Sequence, residues 1–347
     1  MSDFVGLDVS LSAISICVMD EEGEIIARGK TPCDPSAVVD FIASHSRHVQ
    51  RVVHETGQLS TWLHRELAEL GVPIVCIDAR MAKKALSARL NKTDRVDAEG
   101  LAQLARTGWY REVHVRSESR DVIRAMLGAR DRLVRIRKDI EGHVRGVLKS
   151  YGIRLQTVTD ARNRASFREQ VRQLVVGNAA LETIADALIA AHETVCAEFA
   201  VLDAAVNRMA RANKVARRLM TIPGVGPVVA LSFIATIDDA DRFSKSTQVG
   251  AYLGLTPRRI QSGEVDYSGR ISKCGNPAMR SLLVEAASTL IARVRRFSSL
   301  KAWAVRLAAR KGFKKAAVAT ARKIAVIMHR IWRNETTFIW SKEGLAN

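Results

Sequence analysis

The strongest constraint on the fold is where strand-like sequence stops. Short apolar runs rich in β-branched residues occur up to residue 77, whereas from about Ser117 to Asn213 the spacing is helical with almost no strand signal. Residues 4–9 and 13–18 are the first two runs, Glu21-Glu22-Gly23 makes a turn, and residues 24–27 continue as a third strand, which predicts a meander. A helix is expected over 35–45, a fourth strand over 51–54 and a helix over 61–70. A fifth strand over 74–77 starts just after Pro73, and a helix follows over about 93–107. A meander followed by alternating helices and strands implies a mixed α/β sheet. The chain therefore reads as α/β plus α.

In the helical stretch Leu181, Leu188, Val195, Leu202 and Met209 recur every seven residues, with Ala185, His192, Phe199 and Val206 four further on. That is a coiled-coil-like seam, satisfied equally by a helix hairpin within one chain or by pairing between chains. His192 in such a seam reads as a core residue rather than a ligand. Beyond it, Ile222-Pro223-Gly224-Val225-Gly226-Pro227 separates two helical patterns, with glycines in the turn and proline at a helix start. The segment looks like a helix–hairpin–helix, whose open amides hold a DNA phosphate without reading sequence. Gly224 and Gly226 are accordingly candidate nucleic-acid contacts, although a plain turn between two core helices has the same pattern.

Charge narrows the partner. Lys and Arg number 54 against 36 Asp and Glu, a net charge of +18, and neutralising a polyanion is the commonest use of such an excess. Residues 1–40 are net acidic, with Arg28 and Lys30 their only bases, while 293–333 hold many bases and no acid. Ala308, Val318, Ile324, Ile331, Trp303 and Trp332 give that last stretch amphipathic helices with cationic polar faces. Binding there should weaken roughly 10³-fold or more between low and physiological salt if six or more phosphates are touched. The composition, 47% hydrophobic and 26% charged, excludes low-complexity and collagen-like classes. No apolar run has membrane-spanning length, and five scattered cysteines suit reduced thiols in a cytoplasm.

Four carboxylates stand out by position. Asp8 ends the first strand and Glu55 immediately follows the fourth, so adjacent parallel strands can bring both to one sheet edge. Asp94 and Asp97, three apart at a helix start, share a face, whereas Glu99 points elsewhere. Converging carboxylates repel unless a cation neutralises them, and hard oxygen ligands favour Mg²⁺ or Mn²⁺, two of which clamp a phosphodiester. Singly, each acid has an ordinary reading as a helix-start or capping residue. In this order, on these elements, the set favours a ribonuclease-H-like metal site, and Arg89, Lys92 and Arg95 suit a phosphate-bearing substrate passing that edge. Gly224-Val225-Gly226 lacks the lysine of a Walker A loop, so no nucleotide fuel is expected.

Gly6-Leu7-Asp8-Val9-Ser10, His54-Glu55-Thr56-Gly57 and Lys92-Thr93-Asp94-Arg95-Val96-Asp97-Ala98 resemble the three motifs of the DEDD transposases. That insertion-sequence family includes Piv-type DNA invertases and bridge-RNA-guided recombinases. Downstream, Ile222 to Gly226, Gly254-Leu255-Thr256-Pro257-Arg258-Arg259, Ser262-Gly263 and Ser272-Lys273-Cys274-Gly275-Asn276 resemble the same family's C-terminal domain. The likeness covers nearly the whole chain, in the family's order.

The resemblance implies a RuvC-like catalytic domain over 1–112, a helical coiled-coil-like linker over 113–213 and a C-terminal transposase domain over 214–347. Asp8, Glu55, Asp94 and Asp97 match the acidic, metal-binding tetrad, and Ser262 matches a serine that attacks DNA and forms a transient phosphoserine link. From the residues alone Ser262 is an ordinary Ser-Gly turn, with Ser268 and Ser272 equally placed. Arg258, Arg259, Arg270 and Lys273 would stabilise charge on the attacked phosphate. The resemblance further implies double-stranded target and donor DNA, a structured noncoding guide RNA, and a dimer assembling into a tetramer in a prokaryotic cytoplasm, nucleoid-associated when active. Two other readings stay open: a RuvC-type nuclease that uses metal-activated water, and a nonenzymatic nucleic-acid-binding protein.

Overall fold

The computed structural model describes residues 2–86, 94–155, 163–263 and 265–340, without the side chains of Leu86 and Arg95. Arg89 and Lys92, expected beside the carboxylates, lie outside the described residues, as does the Arg95 side chain. The chain divides into two compact units, Met1–Arg116 and Ser117–Asn347.

The first unit is built on β1 (Asp3–Val9), β2 (Ala13–Met19), β3 (Ile25–Pro32), α1 (Pro35–His45), β4 (Val49–Glu55), α2 (Ser60–Glu69), β5 (Ile74–Ile77), α3 (Ala79–Leu86) and α4 (Asp94–Thr107). The strands form one sheet in the order β3-β2-β1-β4-β5. The meander pairs are antiparallel, while β4 and β5 run parallel to β1. This is the mixed sheet that the alternating pattern predicts. Two strands run several residues beyond expectation, β1 and β2 only one: β3 continues to Pro32 because its ladder with β2 runs to Ala13↔Pro32, and β4 starts at Val49 and includes Glu55, which pairs with Ile77.

Alternation along the strands divides the core in two. Val5, Leu7, Ile14, Ile16, Val18 and Val52 pack with Val38 and Ile42 of α1 and Leu63 and Leu67 of α2 on one face. Phe4, Val53 and Ile77 pack with Leu101, Leu104 and Ala105 of α4 on the other, beside Cys17 and Met19 against Ala98 and Ala102. Gly6 makes that second face possible. A Cβ on it would lie 2.2 Å from the Ala98 carbonyl oxygen and 2.3 Å from the Ala102 nitrogen, so the α4 backbone rests directly on β1.

The second unit contains α5 (Glu118–Ser150), α6 (Asn163–Val175), α7 (Ala179–Ala212), α8 (Lys214–Leu219), α9 (Pro227–Ile237), α10 (Thr247–Tyr252), β6 (Pro257–Ser262), β7 (Val265–Ile271), α11 (Pro277–Ala292), α12 (Ser299–Lys311) and α13 (Phe313–Arg333). Helices α5 and α7, each about 50 Å long, pair antiparallel within the chain. Arg130 meets Asp203 at 2.5 Å, Glu141 meets His192 at 3.2 Å, and Val144 and Leu148 join Leu181 and Ala185 in one cluster. The seam is thus satisfied by a hairpin. Its buried stripe runs through Leu181, Ala185, Ile189, His192, Val206 and Ala210, so Leu188, Val195 and Leu202 of the expected heptad fall to its flanks. A straight helix of 3.6 residues per turn drifts off a seven-residue repeat. His192 is a core residue: fully buried, its Nε2 meets Glu141, which also faces Arg137 at 3.3 Å.

The remaining helices enclose one large core around Phe233, Ile234, Leu283, Leu290, Ile324 and Met328. Helix α13 sets its fully buried His329 between Ser246 Oγ at 2.9 Å and the Ala240 carbonyl at 2.8 Å, leaving Lys314, Lys315, Arg322, Lys323, Arg330 and Arg333 outside. The amphipathic reading of this stretch describes it well. The hairpin β6–β7 was not foreseen in a domain expected to be mostly helical.

Candidate active site

Register fixes the first set of groups. Asp8 pairs with Ser15, and Ser15 pairs with Lys30, so these three residues form a row across β1, β2 and β3. On the other side Leu7 pairs with His54, which brings Asp8 level with Glu55. Two carboxylates therefore stand side by side at the C-terminal ends of parallel strands, both half-buried and both on the face covered by α4. Behind Glu55, His54 is fully buried with Nε2 3.3 Å from His64 Nδ1. Burial and then the neighbouring His64 push the His54 imidazole down to about 3, so it adds no positive charge at this edge.

Helix α4 delivers the other two acids. Its Leu101 packs with Phe4 and Val53, and its Ala98 with Cys17, so the helix runs antiparallel to β1 and begins at the Asp8 end. Asp97 lies one turn before Leu101, on the β4 flank; Asp94 lies one turn before Ala98, on the β2 flank. Lys30 Nζ reaches Asp94 at 3.8 Å, and Arg28 Nε holds Glu99 at 2.7 Å one row further along the sheet. Asp8, Glu55 and Asp97 thus share one edge, with Asp94 turned toward Lys30. Among the described residues no three His, Cys, Asp or Glu side chains close into a metal-holding group. The donors fit a hard divalent ion in kind and share one edge; drawing in Asp94 requires that its exposed pair with Lys30 open.

The second set lies on the β6–β7 ribbon. Ser262 ends β6 opposite Val265, with Gly263 at φ +55 in the turn, and every residue of β6 is exposed. The base is tied down by backbone bonds from Ser272 to the Thr256 carbonyl and from Lys273 to the Gly254 carbonyl, and by Arg280 Nη1 on the Gly275 carbonyl at 3.1 Å. Arg258 donates to the Ser272 carbonyl at 3.1 Å, while Arg270 and Lys273 are exposed. Arg259 sits opposite Ser268, out of alternation with Ser262, and grips Asp266 through two bonds of 2.9 and 2.6 Å. The structure therefore sets Arg258 and Ser262 on one ribbon and commits Arg259 to a partner on the ribbon's other face.

Gly224 and Gly226 separate. Gly224, at φ +89, lies against α11, where a Cβ would meet the Ala286 carbonyl oxygen at 2.3 Å; its glycine is explained by packing. Gly226 has open space around it and caps α9, whose first turn is entered through Pro227. Packing thus accounts for glycine at 224, while space around Gly226 and its place at the start of α9 leave room for an anion there. Sequence reasoning missed Lys30, whose role follows only from register, and the apolar residues beside Ser262, because the ribbon itself went unseen.

Comparison with known proteins decides the class. Residues 216–302 match a family described as "Transposase IS116/IS110/IS902 family", and residues 5–153 match the DEDD-type IS110 transposase family, described as "Transposase". The chain is 30% identical over 343 residues to the transposase for insertion sequence element IS1111A of Coxiella burnetii, covering 96% of this chain and 90% of that one. The chain belongs to the IS116/IS110/IS902 transposase family. The transposase is also 26% identical to a probable family 20 transposase of Pseudomonas aeruginosa, over 96% of its own length and 98% of the relative's. A transposase for element IS1328 of Yersinia enterocolitica is 23% identical over the same shares. These matches support the insertion-sequence branch of the expected resemblance; its Piv-invertase aspect is not borne out. The transposase is an enzyme acting on DNA, which accounts for its net charge of +18. No helix among its described residues is long and apolar enough to cross a membrane.

Proposed function

We propose that the transposase cuts and rejoins DNA strands with two groups of residues, the carboxylates of a RuvC-like, ribonuclease-H-like first domain and Ser262 of the C-terminal domain. The observation that carries the reading is register: Asp8 and Glu55 are level on adjacent parallel strands, and α4 brings Asp97 over the same edge. Asp8, Glu55, Asp94 and Asp97 would hold Mg²⁺ or Mn²⁺, which would supply stabilisation of the charge developing on a phosphodiester. Ser262 Oγ attacks the phosphorus, the bond to the departing sugar oxygen breaks, and that oxygen takes the proton the serine gives up. Rejoining reverses the exchange with a new strand end, passing through a Holliday-junction-like intermediate without nucleotide fuel. Arg258, Arg270 and Lys273 would bind the phosphate, Arg259 joining them on release from Asp266.

The assembly in this reading is a dimer that becomes a tetramer on target and donor DNA, directed by a structured noncoding RNA of the element. Its three parts are residues 1–112, 113–213 and 214–347. A second reading, hydrolysis by metal-activated water, is favoured by the exposure of Ser262, which has no base beside it among the described contacts. The test is a cleavage and rejoining assay on element-end DNA with Mg²⁺, with and without the element's noncoding RNA. Asp8→Ala and Ser262→Ala should both lose cleavage, and omission of the RNA should abolish it; cleavage surviving in Ser262→Ala supports the hydrolytic reading.

A further inference from the structure

The ribbon that carries Ser262 exposes apolar side chains that its own unit does not cover. Ile260 pairs with Tyr267 and Ser262 with Val265, so all four share one face. Ile260 is 44% exposed, Val265 54% and Tyr267 53%. A two-stranded ribbon is marginal on its own in water, and the three apolar side chains around one hydroxyl keep about half of their surface exposed, which their cross-strand pairing does not account for. Residues 257–273 hold four cations and two acids, one of which, Asp266, is neutralised by Arg259. Such a surface suits a polyanion with apolar flat groups, which describes DNA opened at a base step. Two-stranded ribbons match groove dimensions, and apolar wedges inserted between bases unstack and kink the duplex.

We propose that the Ile260, Val265 and Tyr267 face is a wedge that enters the DNA beside the phosphate to be cut, with Tyr267 stacking on an unstacked base and so presenting that phosphate to Ser262. The inference rests on the reading of Ser262 as nucleophile, and its test separates the two. Full-length Ser262→Ala protein, with the noncoding RNA, is mixed with element-end duplexes carrying 2-aminopurine at successive positions. Fluorescence should rise at one or two neighbouring positions. Adding Tyr267→Ala should abolish most of that rise and weaken binding about tenfold, the scale of one lost stacking contact. Tyr267→Phe should retain both, and neither change should alter thermal unfolding, because the face is exposed. With Ser262 present, Tyr267→Ala should lower kcat more than it raises KM. No brightening anywhere, or brightening that survives both Tyr267→Ala and Ile260→Ser, overturns the wedge. So does a Tyr267→Ala protein that loses self-association while its fluorescence pattern is unchanged, which would mark the face as a protein interface. Unstacking without a Ser262 adduct upholds the wedge while removing the serine as nucleophile; an adduct without unstacking does the reverse.

Discussion

The sheet edge that carries Asp8 and Glu55 and the ribbon that carries Ser262 are built on opposite terms. Each carboxylate follows a fully buried residue, Leu7 or His54, and α4 is pressed onto β1 through Gly6. Ser262 stands on two strands fixed at their base and exposed along β6. Under the proposed function these carboxylates hold a metal ion, whose ligands need their geometry held to fractions of an ångström, which a packed frame provides. A group that must reach a phosphate inside a duplex gains from standing clear of its own fold. The contrast assigns stability to the first region and substrate fit to the second, and it can be broken at either end.

The largest effect should come from Asp8→Asn, which leaves the fold intact and lowers strand cleavage by about 10³-fold or more, the scale of losing a principal source of charge stabilisation. Cleavage within tenfold of the wild type would remove Asp8 from the site. Next, Gly6→Ala should cost about 3 kcal/mol of stability, since its Cβ meets α4 backbone that can yield only by shifting the helix. Chemical denaturation measures this, and an unchanged midpoint would deny that α4 rests on β1. Mg²⁺ or Mn²⁺ at about a hundred times its dissociation constant should stabilise the first unit by about 2.7 kcal/mol, an increment absent from Asp8→Asn and Glu55→Gln.

Smaller effects sharpen the comparison. Lys30→Ala removes an ion pair exposed on both sides, so stability should change by less than about 1 kcal/mol. Metal affinity should rise severalfold as Asp94 is released; unchanged affinity would exclude Asp94 as a ligand. The smallest change concerns Asp266, whose carboxyl the Arg259 side-chain bond holds below the usual carboxylate range. A lowered carboxyl favours the paired state above the usual range and loses that contribution as pH falls through the lowered value. Asp266→Asn should erase this acid-side change in the ribbon, read by NMR, and free Arg259 to strengthen DNA binding at low salt.

The sheet was legible because its strands carry strong apolar runs and its helices alternate with them; even the parallel placement of Asp8 and Glu55 could be anticipated. The long hairpin was legible in its period, although the straight helix moved Ile189 into the stripe in place of Leu188. The ribbon was hidden because β6 offers Ile260 as its one large apolar residue, and although Val265, Tyr267 and Ile271 alternate with polar residues in β7, most of the ribbon is exposed and no continuous buried face reveals it. Lys30 was hidden for a different reason: only the β2–β3 register and the direction of α4 bring it to Asp94. Gly224 was ambiguous because a glycine that admits a neighbouring backbone, as this one does, carries the same sequence signal as one that admits a phosphate.

The most direct test of the account is to trap and map the covalent link. Wild-type, Ser262→Ala and Asp8→Ala proteins would be incubated with element-end DNA, the noncoding RNA and Mg²⁺, denatured, and their protein–DNA adducts located by mass spectrometry. A phosphodiester on Ser262 is expected in the wild type and should be missing from both variants. Cleaved DNA without any adduct, at wild-type rates in Ser262→Ala, would contradict it and leave the carboxylate edge working with water.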